Sequence, residues 1–144
     1  MKRHATAIWK GALGDGTGKI TTQSGALQDH GYSFKARFED ESGKSGTNPE
    51  ELLAAAHAGC FAMQLSHFLA ENGTPAEELK ATAVVTVEQV SAGFEIKESA
   101  ISLEAKVPGI AAAKFDELAE KAKAGCPVSK ALGTITVTLE AKLV

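Results

Sequence analysis

The sequence predicts an α+β fold, with antiparallel β-sheets wrapped around a buried central helix. Three observations carry this. Six stretches are rich in β-formers and alternate apolar with polar residues, the period of a half-buried strand. One longer run is apolar almost all round between Leu52 and Leu69, as suits a helix with core on every side. The segments follow the order β-β-β-α-β-β-α-α-β. Strands therefore group with strands instead of alternating with helices, which favours α+β over a parallel α/β sheet.

The first third reads as strands. "HATAIWKG" alternates, and the glycine-rich "GALGDGTGKI" turns the chain into "KITTQ". A phosphate-binding loop needs G-x-x-x-x-G-K-[ST] before a helix. Gly11 and Gly16 have the gap, but Thr17 stands where the lysine belongs and a strand follows, so the segment reads as a hairpin connection. In "YSFKARFE" the alternation puts Tyr32, Phe34, Ala36 and Phe38 on one strand face and Lys35, Arg37 and Glu39 on the other.

The central helix has a clear start. Asn48 is a good N-cap, Pro49 suits the first helical position, and Glu51 falls three residues after the cap as in a capping box. That occupies Glu51 and leaves Glu50 without a capping task. The helix can run to Asn72, where "NGTP" stops it. Residues 79–107 predict a long hairpin turning at "SAG". Residues 109–125 predict an amphipathic helix ending in glycine. "CPVSKAL" opens a further helix with Pro127 at its first position, and "TITVTLEAKL" is a last strand.

The 144 residues fit one domain, 1–144, with a single core. Apolar residues make up 44% and charged residues 23%, an ordinary globular balance, and the net charge of −3 gives no basic footprint for nucleic acid or an anionic membrane. No apolar run is expected to cross a bilayer, and the start lacks the apolar core of a signal peptide. A cytoplasmic setting follows as the expectation. Structural disulfides are rare there, which bears on the two cysteines.

Cys60 lies mid-helix in "AAAHAGCFAMQL", and Cys126 precedes a proline in "AKAGCPVSKA". Free cysteine is often a small buried hydrophobe, so plain packing is one reading. His57 and Cys60 at i, i+3 with Cys126 as a third ligand is a metal reading, although no C-x-x-C or H-x-x-x-H pair supports it and a structural zinc site wants four ligands. His57 and His67 also read as a satisfied core residue and a helix-face residue. A reactive pair is the third reading. Judged by chain position, Cys126 at a helix start is the better thiolate, whereas Cys60 in apolar surroundings is raised unless a cation is brought to it.

"GTNPEELLAAAHAGCFAMQLS", "VPGI" and "KAKAGCPVSKAL" together resemble the OsmC/Ohr family of thiol peroxidases, over nearly the whole chain and closest to the OsmC branch. The resemblance implies an intertwined homodimer with no cofactor and no metal. It implies a hydroperoxide substrate and a dithiol reductant; the apolar residues expected near the thiol favour organic hydroperoxides, and the charge balance leaves neither nucleic acid nor membrane as partner. It implies that Cys60 attacks the peroxide and becomes a sulfenic acid, and that Cys126 resolves it to a disulfide, reversing the choice made from chain position. Arg37 matches the OsmC-branch arginine and Glu50 the family glutamate. The Ohr branch uses an N-terminal arginine, and the basic residue nearest that version here is Lys19. Glu50 and Cys60 lie ten positions apart, about 15 Å along one helix, so a shared site would draw Glu50 from a second subunit. Phe61, Met63 and Tyr32 are candidate apolar neighbours of the substrate. The competing functions are a non-enzymatic ligand- or partner-binding module of the same fold and a metal-binding protein.

Overall fold

A computed structural model describes residues 1–144, which form two compact units, Met1–Pro49 and Glu50–Val144. The first unit is a three-stranded antiparallel meander of β1 (Ala5–Lys10), β2 (Thr17–Thr22) and β3 (His30–Ser33). Gly18 is central to it. Trp9 and Tyr32 both pair with Gly18, and their rings meet at 5.3 Å over the space its missing side chain leaves. A Cβ there would run into the Tyr32 ring.

The meander is followed by a short helix, α1 (Phe34–Phe38), where the sequence predicted continued strand. The reason is local. The Ser33 hydroxyl accepts from the Ala36 N–H at 3.0 Å and so caps a first turn. Phe34 and Phe38 are i, i+4 as well as alternating, and their rings pack at 5.0 Å. Arg37 therefore sits on a helix, with its guanidinium carbon 4.6 Å from the Phe38 ring centroid. Next, Asp40 gathers the loop, accepting from the N–H groups of Ser42, Lys44 and Ser45.

The second unit holds all but the first residue of α2 (Pro49–Glu71), then β4 (Glu78–Val90), β5 (Gly93–Lys106), α3 (Ala112–Gly125), α4 (Pro127–Ala131) and β6 (Thr136–Leu143). α2 begins at the predicted proline. It ends at the predicted glycine, where Gly73 takes φ 78° and the N–H groups of Gly73 and Thr74 close back on Ala70 and Leu69. β4 and β5 pair through a two-residue turn, with one register shift at Thr86/Val87. β6 departs from the all-antiparallel expectation by joining β5 in parallel. Residues 107–135, carrying α3 and α4, supply the long crossover that a parallel neighbour needs.

The core lies between α2, the inner face of β5 and α3. Phe61, Leu65 and Leu69 meet Ile101, Leu103 and Ala105, with Phe115, Leu118, Ala122 and Cys126 closing the cluster. α2 buries one stripe, His57, Phe61, Leu65 and Leu69, at i, i+4 spacing. Its opposite face stays open: Ala55, Ala56 and Gly59 are exposed, and Met63 is 77% exposed. By length and composition α2 also suffices to cross a bilayer, which the sequence reading did not anticipate. The buried stripe instead gives it the part of a core helix packed on one side.

Candidate active site

Cys60 projects from mid-α2, one turn beyond His57. Cys126 occupies the joint between two helices, ending α3 and opening α4. Its N–H bonds back to the Ala122 carbonyl at 2.9 Å, and its own carbonyl accepts from the Lys130 N–H at 3.0 Å. Pro127 follows at the first position of α4, where a missing N–H does no harm. Glycine before and proline after make this sharp junction accessible to the chain, and the cysteine is held on both sides by helix hydrogen bonds.

The fold brings the two free thiols, 66 positions apart in the chain, next to each other at the edge of the core. Their surroundings differ. Cys60 is partly exposed, whereas Cys126 is fully buried. Burial pushes the Cys60 thiol up, the neighbouring Cys126 sulfur pushes it further, and the Val128 N–H offsets only part of this. Cys126 ends below its ordinary value. Burial alone would raise it, but the polar groups clustered beside its sulfur, Ser129 first and then the Cys60 thiol and the Val128 amide at the start of α4, favour the thiolate and prevail. Acidity therefore favours Cys126 and access favours Cys60.

Behind the pair lies His57, fully buried. Its Nδ1 is 2.7 Å from the Ser99 hydroxyl and its Nε2 is 2.8 Å from the Ser129 hydroxyl. Burial lowers its pKa, so the ring is neutral at neutral pH. With both nitrogens engaged by serines, His57 has no ring lone pair left for a metal, and it matches the satisfied core histidine of the sequence reading. Ser99 and Ser129 were not anticipated. One signal was available for each: Ser99 is the polar member of an inward row completed by Ile101, Leu103 and Ala105, and Ser129 stands three residues after Cys126.

Glu50 is in the first turn of α2 and only 7% exposed, while Glu51 beside it is exposed. A carboxylate is rarely buried to this degree without a task, which sets Glu50 apart from its capping neighbour. Arg37, in the first unit, lines an apolar cavity of about 290 Å³ together with Trp9, Leu13, Tyr32, Phe34 and Phe38. Of the three apolar residues expected near substrate, Tyr32 lines this cavity, Phe61 is core with no exposure, and Met63 is exposed on the open face of α2.

Comparison with known proteins identifies the family. The family model described as OsmC-like protein matches residues 41–140. The chain is 47% identical over 143 residues to peroxiredoxin OsmC of Escherichia coli K12, covering 99% of this chain and 97% of that one. It is 32% identical over 133 residues to organic hydroperoxide resistance protein OhrB of Bacillus subtilis, covering 91% and 93%. The crystal structure of OhrB of Bacillus subtilis superposes with a TM-score of 0.73 at 29% identity, covering 96% of this chain and 98% of that one. The chain belongs to the OsmC-like protein family.

Proposed function

We propose that this protein is a thiol-dependent peroxidase that reduces hydroperoxides, organic ones preferred, at Cys60, with Cys126 as the resolving thiol and a dithiol as the final reductant. The observation that carries the reading is the contact between a partly exposed and a fully buried free thiol. Two neighbouring sulfurs can become a disulfide with little backbone movement, and only the exposed one can meet a peroxide from solution. In the first step the Cys60 thiolate attacks the terminal peroxide oxygen. The S–O bond forms, the O–O bond breaks, and the alcohol leaves after taking a proton. In the second step Cys126 attacks the sulfenic sulfur and water departs. An external dithiol then restores both thiols by exchange.

Arg37 is the residue proposed to supply the positive charge that Cys60 needs, with Glu50 holding the guanidinium in a planar pair. The aromatic lining around Arg37 supports a preference for an organic hydroperoxide over hydrogen peroxide. The homodimer belongs to this proposal, and the apolar open face of α2 supports it, because a second copy would cover Ala55, Ala56, Gly59 and Met63. A cytoplasmic, reducing setting suits a catalytic disulfide of this kind.

The test counts free thiols before and after one equivalent of an organic hydroperoxide. Both thiols should disappear together and return with a dithiol. Retention of both thiols would reject the peroxidase reading in favour of a binding module.

A further inference from the structure

A row of buried polar side chains leads from the central strand to the Cys126 sulfur. Ser99 from β5 and His57 from α2 have no exposure, and Ser129 from α4 has 9%. Successive contacts of 2.7 Å and 2.8 Å join Ser99, His57 and Ser129, and Ser129 stands one turn after Cys126, the N-cap of α4, which sets its hydroxyl beside the Cys126 sulfur. Buried hydroxyls and an imidazole are expensive unless every group is satisfied, and no buried side-chain nitrogen or oxygen here lacks a partner. Apolar residues would fill these places at lower cost. The row also has a direction. If Cys126 is a thiolate, Ser129 must donate its O–H to the sulfur. Its oxygen then accepts Nε2–H of His57, and Nδ1 accepts the Ser99 O–H, so one tautomer satisfies the whole row.

We propose that Ser99, His57 and Ser129 form a relay that holds a hydroxyl donor on Cys126 and presents its sulfur as a thiolate to oxidised Cys60, making His57 and Ser129 positioning residues of the resolving step. This rests on the peroxidase reading above. The need arises from the chemistry of the first step. Oxidation of Cys60 to the sulfenic acid removes the thiol proton that Cys60 had offered to Cys126. Of the two polar side chains beside the Cys126 sulfur, the Ser129 hydroxyl is then the one left unchanged. Cys126 is shut away from water, so this donor is not replaceable by solvent. In the step itself the S–S bond forms and the Cys60 S–O bond breaks. The Cys126 sulfur is oxidised and the sulfenic sulfur reduced. Hydroxide leaves and, with the proton Cys126 has given up, becomes water.

The experiment uses the full chain in two arms. In the first, one hydroperoxide pulse is followed by rapid quenching, and sulfenic acid and disulfide are measured separately. Ser129→Ala should slow disulfide formation about tenfold, the effect of one pH unit in thiolate availability, so that sulfenic acid accumulates for a dimedone-type trap. Ser129→Thr, which keeps the hydroxyl, should restore the rate. In the second arm, ultraviolet thiolate absorbance titrates Cys126 in a Cys60→Ser chain without peroxide. Ser129→Ala should move the midpoint up by about one pH unit, and His57→Leu should move it in the same direction while His57→Gln, which retains an N–H donor, moves it less. Unchanged midpoints in both Ser129→Ala and His57→Leu would overturn the relay. If His57→Leu does not fold, an unchanged midpoint in Ser129→Ala does so alone. A parent chain that consumes no hydroperoxide would instead defeat the peroxidase reading, and the second arm would still read the relay.

Discussion

Arg37→Ala is expected to cripple the first step by leaving Cys60 protonated. Burial and the Cys126 sulfur push the Cys60 thiol above its ordinary value of 9.0. A thiol titrating two units above the working pH is about 1% thiolate, so at pH 7 an uncompensated Cys60 has at most that fraction available. His57 cannot make up the deficit: burial keeps it neutral and two serines occupy its nitrogens. An opposite charge within about 4–6 Å lowers such a pKa by roughly 1–3 units, which raises the thiolate fraction about tenfold or more. Losing it should slow hydroperoxide consumption at pH 7 by about tenfold or more, equivalent to about 1.4 kcal/mol per unit, with partial recovery at high pH. Arg37→Lys should rescue poorly, because an ammonium cannot serve a thiolate and a carboxylate through one planar fork. The assay is the pH dependence of Cys60 alkylation in a Cys126→Ser background, with and without Arg37. Superimposable curves would refute the reasoning and turn attention to Lys19.

Cys60→Ser should abolish peroxide consumption, whereas Cys126→Ser should react once and leave a sulfenic acid on Cys60. Labelling of Cys126 in Cys60→Ser, with Cys126→Ser inert, would instead show that acidity outweighs access. The chain should sediment as a dimer near twice 14.9 kDa. Mixing Glu50→Gln with Cys60→Ser chains should restore activity, because one site of each mixed dimer then holds an intact Cys60 and an intact partner Glu50; no restoration would place both residues in one subunit's site. His57 also predicts a stability profile. Its folded pKa is lowered, so its contribution is complete above the unfolded value of 6.5 and is lost as pH falls from there toward the folded value. Urea midpoints at about pH 7.5 and about pH 5.5 should differ more in the parent than in His57→Gln, and equal differences would count against the buried neutral ring.

The features legible in the sequence were those determined by a few adjacent residues. Asn48-Pro49 announced the start of α2, Gly73 its end, "SAG" the hairpin turn, and Pro127 the start of α4. Those that escaped depended on competition or distance. "YSFKARFE" satisfies both a strand and a helix period over so few residues that the Ser33 cap decides between them, and a short run offers no arbiter. The parallel seat of β6 is a choice of partner, which alternation along one strand does not encode. The same division holds at the site. Cys60 and Cys126 drew attention as the chain's two thiols, and Glu50 by exclusion from capping. Ser99 and Ser129 became meaningful only when three elements converged on His57.

The parallel seating of β6 also shapes how the chain comes into being. The β4–β5 hairpin closes through a two-residue turn, a microsecond event. Thr136 must find Glu98, 38 positions earlier, after α3 and α4 have formed the crossover. During synthesis β5 therefore emerges with one long edge open, and one face of the same strand carries the Ile101, Leu103 and Ala105 row destined for the core. Until the last strand arrives, the nascent protein displays an apolar ribbon with unpaired amides, the template on which chains join edge to edge. β6 acts as the guard of that ribbon, and its outward Thr136, Thr138, Glu140 and Lys142 give the finished sheet a polar border. A chain ending before Thr136 should therefore be lost to aggregation during biogenesis, before any shortfall in catalysis could be measured.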